Sequence, residues 1–260
     1  MAIRVKKTTE TKPAPVATKS ERPAALKNKP DNGPVVMKGF GERRKLLVDG
    51  PVIGNYVQFV NTKSKNRDDI CDKLNVKSKN MIDDFPIVMV AGKPTLLEPF
   101  AYIPTEQWFQ HFSIMTETYE ITESYIDVDE KPGQDFDDCI ETVIIVVTGK
   151  GELIPACCLF KNTKTRAFSD VMTYISEQQE KAQGNGAYDS VLATVTLTEY
   201  TSKSTRREMM IGSAECEECP NDIRKALADA FKTPEFLQQL KDCVKANSAR
   251  YELVKSKANN

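Results

Sequence analysis

Apolar residues recur with a period of two along much of the chain between residues 35 and 212, and this period predicts β-strands. The pattern is clearest in residues 191–200, where valine, alanine and leucine alternate with threonine. Turn sequences rich in Gly, Pro, Ser and Thr join neighbouring strands, so the pattern predicts three hairpins. Their strands are residues 86–90 with 96–103, 140–147 with 153–160, and 191–200 with 208–212.

Apolar residues spaced at i, i+3, i+4 and i+7 predict helices in the later part of the chain. Residues 166–182 show this spacing, and Gly184 can end that helix. Asn221 is expected to cap a second helix, and Thr233 followed by proline marks the start of a third. The aromatic-rich residues 106–115 fit both a helix and a strand, and the pattern alone does not choose between them.

Hairpins joined in sequence, with helices concentrated late, predict an α+β fold. We expect an antiparallel sheet or a partly open, OB-like β-barrel with helices at the C-terminal end. Residues 1–34 carry eight Lys and Arg against three acids, contain five prolines and lack apolar periodicity, so they are predicted to be a disordered basic tail. Residues 35–248 are predicted to form a single β-rich domain, followed by a flexible C-terminal tail at 249–260.

The composition limits the class of protein. The 260 residues carry a formal charge of −1, so an electrostatic argument for nucleic acid must come from the local distribution of charge. No apolar run approaches the roughly 20 residues that span a bilayer, and the N-terminus lacks the apolar stretch of a secretory signal. Seven cysteines without an export signal favour thiols in a reducing compartment. We therefore expect a cytoplasmic protein without membrane association, in the host cytoplasm if it is viral.

Motifs for catalysis or metal binding are scarce. Residues 117–141 hold ten Asp and Glu against one Lys and are interpreted as a solvated acidic loop, with Mg²⁺ or Ca²⁺ binding as the alternative. Cys216 and Cys219 form a C-x-x-C, which is half of a zinc site; structural thiols are favoured and zinc stays open. The single histidine, His111, has no evident Ser or Cys partner in the sequence and is expected to be structural. No catalytic residue, bound metal or cofactor is predicted.

Three loops share one pattern: each follows a strand-terminal aromatic residue and is rich in Ser, Thr, Lys and Arg, without a single acid. We call residues 59–67, 160–166 and 200–207 loops 1, 2 and 3. Aromatic side chains stack on bases, worth roughly 1–3 kcal/mol per base, while Lys and Arg follow the phosphates. The alternative is that these are ordinary polar turns whose aromatic residues face the core. The predicted nucleic-acid-binding residues are Phe59, Lys63, Lys65, Arg67, Phe160, Lys161, Lys164, Arg166, Tyr200, Lys203, Arg206 and Arg207.

With the basic tail and the hairpin-built body, these loops give the chain an organisation that resembles single-stranded DNA-binding replication accessory proteins of bacteriophages and plasmids. The resemblance lies in organisation, and no family motif transfers individual residues. Bacterial-type single-strand binders end in an acidic tip, whereas residues 254–260 here read Val-Lys-Ser-Lys-Ala-Asn-Asn. Recruitment of partners through such a tip is therefore not expected.

The favoured hypothesis is a non-catalytic single-stranded DNA-binding protein that acts in replication or recombination, with the acidic residues 117–141 competing for its own basic surface. The expected partner is single-stranded DNA, and the hypothesis leaves room for a homo-oligomer and for replication proteins. Two alternatives stay open. One is a virion or assembly protein whose basic arm crosses between subunits, and the other is a metal-dependent nucleic-acid enzyme that uses the acidic segment.

Overall fold

The computed structural model describes residues 54–60, 67–77, 85–90, 92–116, 120–181, 188–201 and 208–258. The strands within them are β1 (Tyr56–Val60), β2 (Phe85–Val90), β3 (Lys93–Leu96), β4 (Phe100–Met115), β5 (Ile121–Ile126), β6 (Asp137–Val147), β7 (Leu153–Lys161), β8 (Val191–Thr201) and β9 (Glu208–Glu218). The helices are α1 (Arg67–Leu74), α2 (Thr165–Lys181), α3 (Asn221–Ala230) and α4 (Pro234–Ala258). The predicted N-terminal tail lies outside the described residues.

The strands form one sheet in the order β3-β2-β1-β7-β6-β4-β8-β9, and β5 pairs with the far end of β4. Neighbouring strands run antiparallel except β1 and β7, which run parallel. The sheet curls into an open half-barrel, with helices at the C-terminal end of the chain. The predicted α+β fold with a partly open barrel is therefore confirmed, with one parallel pair that the hairpin pattern did not predict.

The second and third predicted hairpins are present, as β6 with β7 and as β8 with β9. In the second one Val147 pairs with Leu153 across its Gly-rich turn, as the alternation of the flanking strands requires. The first predicted hairpin, 86–90 with 96–103, is wrong, because β2 pairs with β3, which begins at Lys93 inside the predicted turn. Residues 100–103 belong to β4, which pairs with β6 and β8. The cis Glu98–Pro99 bond lies between β3 and β4. Proline has no N–H to donate to a strand ladder, so a break at this position is expected physically.

The ambiguous residues 106–115 belong to β4, a strand of 16 residues. Trp108 and Phe109 point to opposite faces of the sheet, as successive strand residues do. Trp108 packs against Phe168 of α2 at a ring-centroid distance of 5.5 Å, and Phe109 packs against Tyr251 of α4 at 5.3 Å. Because helices cover both faces here, both sets of side chains include large apolar residues and the period of two is hidden.

Two helices therefore cover opposite faces of the half-barrel. Helix α2 follows the predicted residues 166–182 closely and packs Phe168, Met172 and Ile175 into a core with Phe160. Helix α4 covers the other face of the sheet, where its Cys243 and Ala246 contact residues of β1, β2 and β7. The start of α4 at Pro234 is also as predicted from the sequence.

The flexible C-terminal tail predicted for residues 249–260 is wrong over most of its length, because α4 continues to Ala258. Arg250 and Val254 on this part of the helix are both 0% exposed. The hydroxyl of Ser124 on β5 also donates to the carbonyl of Val254 at 2.6 Å. These contacts dock the last turns of α4 on the sheet and make them part of the domain.

Two further local predictions need correction. Asn221 is the first residue of α3 and not its cap, since Pro220 occupies the cap position without a capping side-chain hydrogen bond. Helix α1 was not predicted, and it begins at Arg67 within the presumed loop 1. Its Ile70 and Cys71 are buried in a cluster with residues of the sheet and of α4, and this burial stabilises a helix that is otherwise short and polar.

Candidate nucleic-acid interface

The ends of β1 and β7 lie side by side at one edge of the sheet. The two strands are parallel, with Tyr56 opposite Cys157 and Val57 opposite Cys158. Extending this register places the end of β1 at Val60 next to the end of β7. Loops 1 and 2 therefore leave the sheet at the same edge, although residues 61–66 of loop 1 lie outside the described residues.

The hairpin that carries loop 3 also approaches loop 2. Gly212 of β9 lies against the start of α2, where a Cβ atom added to it would be 3.4 Å from the Cα of Lys164 and 3.3 Å from the Cβ of Ala167. The absence of a side chain at Gly212 permits this close packing. The backbone N–H of Ala214 donates to the Asp170 carboxylate of α2 at 3.1 Å and fixes the contact. Glu208, the first residue of β9 after loop 3, lies about 13 Å from Gly212 along the strand.

The strand-terminal aromatic residues of loops 1 and 2 face inward. Phe160 is 0% exposed, and its ring lies 5.7 Å from Phe168 of α2. Phe59 is half-buried and contacts both Phe160, at 5.7 Å, and Phe100, at 5.8 Å. The prediction that Phe160 stacks on a base is therefore wrong, because α2 already covers its ring.

Tyr200, at the end of β8, is exposed to 43%. Leu197 of the same strand packs into the core under α2. Since strand residues three positions apart face opposite sides, Tyr200 lies on the hairpin face turned away from α2. Of the three strand-terminal aromatic residues, Tyr200 alone offers an open ring to a ligand.

The predicted cations differ in their accessibility. Arg166 in the first turn of α2 is exposed, and Lys164 is half-buried. Arg67 is only 5% exposed at the start of α1, so the prediction that it contacts phosphate is wrong. The other predicted basic residues of loops 1 and 3 lie outside the described residues, so their predicted roles stay predictions. They are Lys63, Lys65, Lys203, Arg206 and Arg207.

The start of β6 binds loop 2 through two carboxylates of the acidic segment. Lys161 Nζ lies 2.7 Å from Asp137 Oδ2, and Asn162 Nδ2 donates to Asp137 Oδ1 at 2.7 Å. The neighbouring carboxylate, Asp138, accepts from Gln110 Nε2 at 2.8 Å and from the Thr165 hydroxyl at 3.3 Å. These acids therefore act within the protein and are not a freely solvated loop.

A buried polar network joins β4 and β6 to α4. Arg250 Nε donates to Glu141 Oε1 at 2.7 Å, and His111 Nε2 lies 3.8 Å from the same oxygen. His111 Nδ1 is 2.7 Å from the hydroxyl of Ser113. Burial lowers the pKa of His111 from its usual value, against the opposing effect of Glu141. The imidazole is therefore held neutral at neutral pH.

Ser113 is a partner of His111 that the sequence pattern did not reveal. Residues i and i+2 of a strand share a face, so the pair would have been evident had residues 106–115 been assigned to a strand. Ser113, His111 and Glu141 are each at most 1% exposed beneath α4. A substrate cannot reach them there, and the predicted structural role of His111 agrees with this burial.

The cysteines of the C-x-x-C lie in different parts of the core. Cys216 packs at the margin of the core under α2, whereas Cys219 packs with Leu227 and Phe236 of α3 and α4. Burial and then the charge of Asp170 raise the pKa of Cys216 to about 11. In the part of the chain that the structure describes, no three His, Cys, Asp or Glu side chains gather as metal ligands. This geometry gives no support to a zinc site on the pair.

No protein-family model, curated protein or solved structure matches the chain. Among the described helices, none combines the length and the apolar character required to cross a bilayer. The geometry of the loops and the charges around them therefore carries the functional argument.

Proposed function

We propose that this protein binds single-stranded DNA in replication or recombination without catalysing a reaction. The observation that carries the proposal is the convergence of the elements that bear the three basic loops. Loops 1 and 2 leave one edge of the sheet because β1 and β7 are parallel, and the β8–β9 hairpin packs on the end of loop 2, at the start of α2, through Gly212. Cations on neighbouring loops can follow one phosphate backbone, and this arrangement suits an extended single strand.

The side chains assigned to binding follow from their exposure. Lys164 and Arg166 at the start of α2 supply phosphate contacts next to the packed hairpin. Tyr200 supplies the stacking surface, since its ring is open while Phe160 is enclosed. Phosphate contacts carry no sequence information, and every base offers a face for stacking. The protein therefore binds with little dependence on base sequence and prefers an unpaired strand to a duplex.

A fluorescence-anisotropy titration with a mixed-sequence oligonucleotide, repeated at several salt concentrations, tests the proposal. On single strands, log K falls with log salt by roughly 0.7 per phosphate contact. The double substitution Lys164→Ala and Arg166→Ala therefore flattens the slope by up to roughly 1.4. Lys225→Ala with Lys245→Ala removes two exposed helical lysines away from the loops, on α3 and α4, and leaves the slope unchanged.

Stacking has a different signature because it releases no counterion. Tyr200→Ala weakens binding by roughly 1–3 kcal/mol without changing the salt slope. Tyr125→Ala is the matched control, since Tyr125 is 38% exposed but lies on β5. Binding that survives every loop substitution but vanishes on removal of residues 1–34 would overturn the proposal. An assembly protein with a basic arm would then be the better interpretation.

A further inference from the structure

The donors at the start of loop 2 are already occupied by an anionic side chain of the same chain. Asp137 uses both of its carboxylate oxygens: Oδ2 lies 2.7 Å from Lys161 Nζ, and Oδ1 accepts from Asn162 Nδ2 at 2.7 Å. Neither partner is deeply buried, since the side chains of Lys161 and Asp137 are 34% and 24% exposed. An ammonium group and an amide N–H therefore converge on one small anion at the protein surface.

The backbone holds this arrangement in register. Cys139 of β6 is paired with Lys161 of β7, which places the first residues of β6 beside the exit of β7. Asn162 adopts a φ of 52°, and the backbone N–H of Asp138 donates to its side-chain oxygen at 3.1 Å. Asparagine tolerates this left-handed conformation better than most residues. Asn162 is thus fixed with its amide N–H directed at Asp137.

The same donors suit a phosphate. Lysine ammonium groups and side-chain amides contact the phosphate oxygens of nucleic acids. An ion pair with this degree of exposure contributes little to stability, so an incoming phosphate can replace the Asp137 carboxylate without disrupting the fold.

We infer that Asp137 is an internal competitor of the nucleic-acid phosphate for Lys161 and Asn162, and this inference rests on the proposed function. In the free protein the carboxylate occupies these donors. When a strand binds, its phosphate displaces Asp137, which then faces solvent. Asp137 thereby weakens the binding of anions at loop 2. Only a ligand that makes further contacts with the protein can compensate for loss of the Asp137–Lys161 ion pair.

Salt dependence gives the competitor a distinct signature. Displacement of Asp137 leaves a carboxylate beside the bound strand, and its repulsion of the phosphates lowers the net effect of the Lys161 contact. Lys161 therefore contributes less to the salt slope of the native protein than it does when the carboxylate is removed. Without the carboxylate, the Lys161 contact adds its full share, roughly 0.7 in the slope of log K against log salt.

The experiment compares oligonucleotide affinity and salt slope for the full-length chain and its Asp137→Asn variant. Asp137→Asn is expected to bind roughly two- to fivefold more tightly at low salt, which is the fold-change equivalent of a surface ion pair, and to show the steeper slope. Asp135→Asn removes the same charge from an exposed carboxylate two residues away, for which the described structure shows no contact to loop 2. It is expected to change affinity less and to leave the slope as it is.

A double-mutant comparison assigns the effect to Lys161. In a Lys161→Ala background, Asp137→Asn should increase the affinity no more than Asp135→Asn does and should leave the salt slope unchanged. Asp137→Ser serves as a second variant if the asparagine variant melts at a lower temperature than the native protein. Equal effects of Asp137→Asn and Asp135→Asn, or weaker binding by Asp137→Asn, would overturn the inference.

The same measurements separate the inference from the proposed function. If the inference fails but the native chain still binds through Lys164, Arg166 and Tyr200, the proposed function stands. If neither the native chain nor any variant binds the oligonucleotide, the inference and the proposed function are both overturned.

Discussion

Arg250 of α4 and Glu141 of β6 lie 109 residues apart in the chain and form an ion pair of 2.7 Å that is at most 1% exposed. The pair joins the last third of α4 to the centre of the sheet. Desolvation opposes burial of both charges, so the pair is weak evidence for net stability. Removal of one partner, in contrast, leaves a buried charge without compensation.

Arg250→Met should lower the free energy of unfolding by about 3–5 kcal/mol, because Glu141 loses its buried partner. Adding Glu141→Gln should recover part of this loss, since the carboxylate charge is removed as well. Lys245→Met, an exposed position on the same helix, should change stability by less than about 0.5 kcal/mol. Urea denaturation measures the free energy of unfolding of the native protein, the two single variants and the double variant. An Arg250→Met variant as stable as the native protein would show that α4 docks without the pair.

Stability should fall on mild acidification because His111 is held neutral in the folded protein. Burial lowers its pKa, with Arg250 acting in the same direction and the carboxylates of Glu141 and Asp138 in the opposite one. The unfolded chain binds a proton as the pH falls through about 6.5, while the folded protein does not. The free energy of unfolding should therefore decrease by at most about 1.4 kcal/mol between pH 7.5 and pH 5.5.

The matched variant for this pH effect is His111→Gln, which cannot titrate in that range. As His111 is the one histidine in the sequence, the variant should show a flatter dependence over the same interval in denaturation experiments. Equal pH dependence in both proteins would assign the effect to carboxylates instead of His111.

Truncation should distinguish a docked helix from a free tail. A chain that ends at Ser248 loses Arg250 and Val254, together with the hydrogen bond from Ser124 to the carbonyl of Val254. It should lose at least as much stability as Arg250→Met, about 3–5 kcal/mol or more. Removal of residues 259–260 alone is the control and should leave the melting midpoint unchanged. Equal melting midpoints for the two truncated chains would contradict the docking of the last turns of α4.

The cysteines should react slowly with thiol reagents in the folded protein. Six of them are buried, and the half-buried Cys216 has a pKa raised to about 11 by burial and by Asp170. The thiolate is the reactive form, so little of it is present near neutral pH. Titration with a chromogenic disulfide should report seven thiols only after denaturation. Rapid modification of Cys216 in the native protein would contradict this assignment.

Local sequence patterns are sufficient to predict the helices and strands that bury a single apolar face. The β8–β9 hairpin and α2 follow from alternation and from the i, i+3, i+4 spacing, because each presents one apolar face to the core. Helix α1 lacks a strong pattern of this kind, and its formation depends on burial of Ile70 and Cys71 against remote residues.

The candidate site shows the same division. The amino-acid sequence by itself determined where the basic loops begin and that aromatic residues precede them. Only the tertiary structure decided that Phe160 is enclosed by α2 while Tyr200 is open, and that Asp137 contacts Lys161. The period of two places successive side chains on opposite faces of a strand, but it does not say which face a helix will cover. That packing joins residues far apart in the chain, such as Glu141 and Arg250, and no local pattern contains it.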